Sequence, residues 1–143
     1  MRGLARSLLV LAVLVGASAS AAQELAVIVN GTRSDRLDAS AIAQIYLKQR
    51  RFWRDGERIV PVNREAGSVL RERFVQRIMG TSARRLIVYW NRQYFQGVLP
   101  PATLASDEAV KRFVANERSA IGYVDPAVVD GSVRVVLQLD GSP

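Results

Sequence analysis

The sequence predicts a three-layer α/β/α domain, with helices on both faces of a mixed sheet. Residues 25–29 (LAVIV) form an unbroken apolar run, the pattern of a strand covered on both faces. Segments with helical spacing of apolar residues separate this run from a β-branched run at 59–62, as in an α/β domain. Two further strand-like runs, 120–124 (AIGYV) and 133–139 (VRVVLQL), follow one another across the Asp130-Gly131 turn, which makes the sheet mixed.

The first 22 residues stand apart from this domain. Arg2 and Arg6 precede the apolar run 8–15, and small residues fill 16–22 (GASASAA). That order predicts a signal peptide over residues 1–22, cleaved after Ala21 or Ala22. The apolar run is far shorter than the roughly 20 residues of a membrane span, and an uncleaved anchor is the competing reading. No cysteine is present to carry a lipid. The expected exported unit is one domain over residues 23–143.

Within it, Asp38 is placed to cap a helix in which Ile42, Ile45 and Tyr46 share a face, ending near Lys48. Phe52 and Trp53, beside the Asp55-Gly56 turn, are expected to cap the core rather than stack on a ligand. Gly80 suits a helix end and Ser82 the cap of the next helix, which runs to Tyr94 or Phe95. Trp90, Tyr94 and Phe95 make an aromatic stripe whose expected role is packing. Gly97 and Pro100-Pro101 break the chain into an extended loop. Ser106-Asp107-Glu108 opens a last helix with Val110, Phe113 and Val114 on one face. Gly122 inside a strand marks a close backbone approach.

Removing Arg2 and Arg6 lowers the formal charge from +7 to +5. Apart from Lys48 and Lys111, the basic residues are arginines. Arginine pairs bidentately with carboxylate and phosphate, which suits anion binding; the base composition of the gene would explain the same bias. No aromatic-basic motif of a nucleic-acid module is present, so no nucleic-acid partner is expected. The chain has neither cysteine nor histidine. Thiol nucleophiles, imidazole bases, the Ser-His-Asp triad and the usual zinc sites are therefore excluded. The acid pairs Asp107 with Glu108 and Asp125 with Asp130 read better as helix-start and turn residues. No catalytic residue, cofactor or metal is expected.

The most informative stretch is 59–77 (IVPVNREAGSVLRERFVQR). A strand leads through the polar turn 63–67 to Ser68 as helix cap, with Leu70, Phe74 and Ile78 at helical spacing behind it. First-turn amides of such a helix have no intrahelical acceptor, and the helix dipole adds positive charge there. Arg64 before the turn and Arg71 after it would add full charges. The bland alternative is an ordinary cap between solvated arginines.

Four segments, in order, resemble the phosphate-binding proteins of ABC transporters, within the type 2 periplasmic binding protein superfamily. Residues 26–30 (AVIVN) are similar to the strand entering that family's second lobe. Residues 42–48 with Trp53 are similar to its IF-x-G-K … W segment. Residues 59–68 resemble the strand leading to its R-x-x-G-S phosphate turn, and 106–114 with 120–124 its helix followed by AIGY. The resemblance implies a single lobe of such a protein, located in the periplasm.

Carried over by position, Arg64 is the guanidinium ligand, Gly67 permits close backbone approach, and Ser68 donates its hydroxyl and amide. The Val69 amide and Arg71 are further contributors. The chain has Gly67-Ser68-Val69-Leu70 where the family has Gly-Ser-Gly-Thr, so one hydroxyl is lost and one glycine is β-branched. A half-site open to water gains less from charge, and the expected affinity is on the order of micromolar to millimolar. The implied partners are phosphate or a related oxyanion and an ABC transporter permease or envelope sensor. A second copy of the chain is a candidate to complete the cleft. The alternative is an accessory lobe that docks on an envelope partner, motivated by the lost threonine, the missing lobe and the basic aromatic span from Arg84 to Phe95.

Overall fold

The computed structural model describes residues 24–141, and the expected signal peptide lies outside the described residues. β1 (Leu25–Asn30) is buried along its whole length, as its apolar run requires. α1 (Ala39–Tyr46) starts at Asp38, whose carboxylate accepts the Ala41 amide at 2.7 Å. β2 (Val60–Arg64) leads into α2 (Val69–Arg77), capped by Ser68, and α3 (Ala83–Tyr94) follows, capped by Ser82. β3 (Ala102–Leu104), α4 (Asp107–Asn116), β4 (Ala120–Val124), a 3₁₀ turn at Pro126–Val128 and β5 (Val133–Leu139) complete the chain.

The five strands lie in the order β3-β2-β4-β1-β5. β2 runs parallel to both β3 and β4, whereas β1 is antiparallel to β4 and β5. The carboxyl ends of β2 and β4 therefore share one edge of the sheet with the start of β1 and the end of β5. Leu25 is opposite Leu139 and Ala26 opposite Val124.

Alternation along the strands divides the core in two. Leu25, Val27, Val29, Ile121 and Tyr123 pack under α1 and α2 against Ile42, Ile45, Tyr46, Leu70 and Phe74. The Phe74 and Tyr123 rings stack there, 4.0 Å between centroids and 6° apart. Ala26, Ile28, Val62, Ala120 and Val124 pack on the other face against Val110 and Val114 of α4. Helices thus cover both faces, which makes the three layers. α4 comes so close that a Cβ on Gly122 would lie 2.5 Å from Val110 Cγ1, so the strand glycine is a steric requirement.

Three sequence expectations need correction. β2 extends to Arg64, so Asn63 and Arg64 belong to the strand rather than to the turn expected over 63–67. The segment after Pro101, expected as loop, adds β3 to the sheet edge through its pairing with β2. α1 runs to Tyr46 with Leu47 as its C-cap and so ends near Lys48 as expected, Lys48 itself taking a positive φ of 59°. The aromatic pairs also divide: Trp53 is buried while Phe52 is exposed, and Tyr94 and Phe95 meet edge-on at 6.1 Å outside the core, with Phe95 88% exposed.

Candidate functional site

The expected site lies at the carboxyl edge of β2. Arg64 closes the strand, and Gly67 turns the chain at a φ of +85°, which a side chain would resist. Ser68 then caps α2, its hydroxyl accepting the Arg71 amide at 3.3 Å. Val69 and Leu70 are the first helical residues, where amides have no acceptor within the helix. Val69 has an exposed side chain and Leu70 turns its own into the core. Arg71 reaches back across the turn, its Nη1 donating to the Arg64 carbonyl at 3.0 Å. Arg64, Gly67, Ser68, Val69 and Arg71 therefore occupy one strand–turn–helix unit.

The Arg64 guanidinium is engaged by protein carboxylates. Its Nε and Nη2 each donate to Glu65 at 3.0 Å, and its Nη1 donates to Asp107. Hydrogen bonding to Glu65 and the field of Asp107 raise its pKa, and the same pairing with Arg64 lowers that of Glu65. Asp107 sits at the start of α4 and also accepts the Asp125 amide at 3.3 Å. It reaches Arg64 because β3 lies beside β2, Leu104 opposite Arg64, and α4 begins just beyond.

Tyr123 supports this edge from beneath. Its hydroxyl donates to Asn63 Oδ1 at 2.9 Å and accepts the Arg64 amide at 3.2 Å. Burial pushes its pKa up to about 12, so it stays neutral as both donor and acceptor. Glu65, Asp107, Asn63 and Tyr123 were not singled out as site residues by sequence reasoning. Asp107 reads there as a dipole-complementing acid, and only the unrecognised β3 brings it to Arg64.

Gly67 and Arg71 also border an open groove of about 670 Å³ between α2 and α3, lined by Val75, Leu86, Ile87 and Trp90. At the opposite edge of the sheet, the buried Arg33 side chain pairs with Asp55 at 2.8 Å and with Glu57, lies 3.7 Å from Asp35, and sits over Trp53. Among the described residues no cluster of side chains is arranged to hold a metal ion. Nor is any helix among them long and apolar enough to cross a membrane.

No protein-family model and no curated protein matches the chain. Solved structures do. A protein from Clostridium perfringens, assigned as a phosphate ABC transporter substrate-binding protein and solved with bound phosphate, is 27% identical with a TM-score of 0.62. An ABC-type phosphate transport receptor from Vibrio cholerae is 25% identical with a TM-score of 0.63. Each match covers 80% of this chain and 45% of the other, so the chain spans less than half the length of these proteins. A Planctomyces limnophilus protein at 15% identity and a TM-score of 0.50, covering 74% of this chain and 37% of its own, shares the fold alone. The chain is folded as one lobe of a type 2 periplasmic binding protein, similar to the substrate-binding proteins of phosphate ABC transporters.

Proposed function

We propose that the chain binds phosphate or a related oxyanion at the turn between β2 and α2, as a periplasmic binding lobe without catalytic activity. One observation carries the reading: on a fold similar to phosphate-binding proteins, the strand ends on Arg64, turns at Gly67 and enters a helix capped by Ser68. Amides of Val69 and Leu70 would meet the anion's oxygens, with the Arg64 and Arg71 guanidinium groups supplying charge, while the Ser68 amide already donates to the Glu65 carbonyl at 3.3 Å. Because Glu65 and Asp107 already engage Arg64, an arriving anion competes with two carboxylates. Binding is then weak and readily exchanged, on the order of micromolar to millimolar, which suits delivery to a permease or an envelope sensor. A second copy of the chain could close the cleft from the other side.

Titration of inorganic phosphate into the protein, followed by amide NMR, tests this directly. The amides of Val69 and Leu70 should shift and saturate, and Arg64→Ala should weaken binding at least tenfold. Absence of shifts at the turn, or shifts that Arg64→Ala leaves unchanged, overturns the reading.

The carboxylates on Arg64 also favour a second reading, in which the lobe has exchanged its ligand for an internal ion pair and serves as an accessory that docks on an envelope partner. An unresponsive β2–α2 turn at saturating phosphate would favour it.

A further inference from the structure

We propose that α3 is a docking surface for an anionic phospholipid membrane, independent of any anion held at the β2–α2 turn. The helix is amphipathic but buries no residue. Leu86, Tyr89, Trp90 and Gln93 face the body and are half-buried, and Tyr89 ties the helix to it by donating to the Leu47 carbonyl at 2.7 Å. The side away from the body carries Val88, Tyr94 and Phe95, all exposed, Ile87 is exposed at the groove beside them, and Leu99 extends the patch past the helix end. A soluble surface tolerates single exposed apolar residues; five in one short span need a partner.

Charge selects the partner. Between Val69 and Leu99 the chain carries six arginines and one acid, Glu72. α3 itself has Arg84, Arg85 and Arg92 and no acid, and all three arginines are exposed. None of them forms an ion pair among the described residues. A second copy would set this positive surface against itself, so an anionic surface is favoured. Val88, Tyr94 and Phe95 are interspersed with arginines and lie outside the groove between α2 and α3, whose lining includes Ile87. Such a face suits a plane better than a peptide. Aromatic residues with a polar rim of arginine are the composition of a helix lying in a headgroup layer, where long arginine stems reach phosphates while Phe95 and Val88 enter the acyl boundary.

The test uses the chain from Gln23 onward, because the sheet, its helices and both cores lie within residues 25–139 and the apolar run 8–15 would itself bind lipid. Flotation is measured with phosphatidylcholine vesicles and with vesicles in which about one-third is phosphatidylglycerol. Binding to the anionic vesicles is expected, falling at least tenfold between about 50 and 500 mM NaCl. Arg85→Glu with Arg92→Glu, and separately Phe95→Asp, should each reduce it about tenfold or more while leaving the circular dichroism spectrum and phosphate titration unchanged. Equal binding to neutral vesicles, no binding at low salt, or variants that bind as the parent does would overturn the proposal. So would dimerisation in sedimentation experiments that Phe95→Asp abolishes, which would assign the face to a second copy.

Discussion

Arg64 at the end of β2 and Asp107 at the start of α4, 43 residues apart in sequence, form an ion pair that joins the two elements at the candidate site. Both side chains are largely buried, so the pair is screened less than a surface pair. Asp107→Asn should remove the competing charge and free the guanidinium. Phosphate affinity is expected to rise about fivefold while stability falls by about 1 kcal/mol. Calorimetric titration and chemical denaturation of the same variant measure both, and a fall in affinity would show that Asp107 positions the arginine instead.

Gly122 gives the sharpest packing prediction. An alanine methyl there would sit 2.5 Å from Val110 Cγ1 and 3.2 Å from Val114 Cγ2, so Gly122→Ala should cost about 1–3 kcal/mol. Val110→Ala in the same chain should recover part of that loss by making room. Denaturant midpoints of the two single variants and the double variant give the coupling directly.

Arg33 is nearly inaccessible, yet it is the cation for Asp35, Asp55 and Glu57 and donates to the Arg118 carbonyl at 2.9 Å. Arg33→Met keeps much of its volume and leaves buried Asp35 without that cation. The expected loss is about 2–4 kcal/mol, with Asp35→Asn in the same background recovering part of it. Thermal unfolding of both variants checks the order.

Acid sensitivity follows from carboxylates held below their ordinary values, Glu65 and Asp130 among them. Donation from Arg64 lowers Glu65 from 4.5, and donation from Ser132 and Lys111 lowers Asp130 from 3.8. A depressed folded-state value means stabilisation that is complete above the unfolded-state value and lost as pH falls through the folded one. Melting temperature should therefore hold from neutrality to about pH 5 and drop below about pH 4. Arg64→Gln should flatten that acid limb, since it removes the donor that lowers Glu65.

Much of the fold was legible because its signals are local. Asp38, Ser68, Ser82 and Ser106 all cap the helices they were expected to cap, and β4 and β5 have the bounds their apolar runs suggest. β3 was not legible, since three residues after a proline pair become a strand only through β2 beside them. The same gap hid Asp107 from the site. The aromatic residues of α3 show a different limit. Helical spacing tells which side chains share a face, but whether another surface covers that face is decided by the rest of the fold.

The pairing of Leu25 with Leu139 places the two ends of the folded unit one strand spacing apart, roughly 5 Å. A unit whose ends meet can be inserted into a longer polypeptide, or its ends joined and new ones opened at an exposed turn such as Gly131, without breaking a strand. Modularity of this kind gives a longer protein a way to carry the same lobe as an insert: the host chain enters at β1 and leaves at β5 through a single doorway.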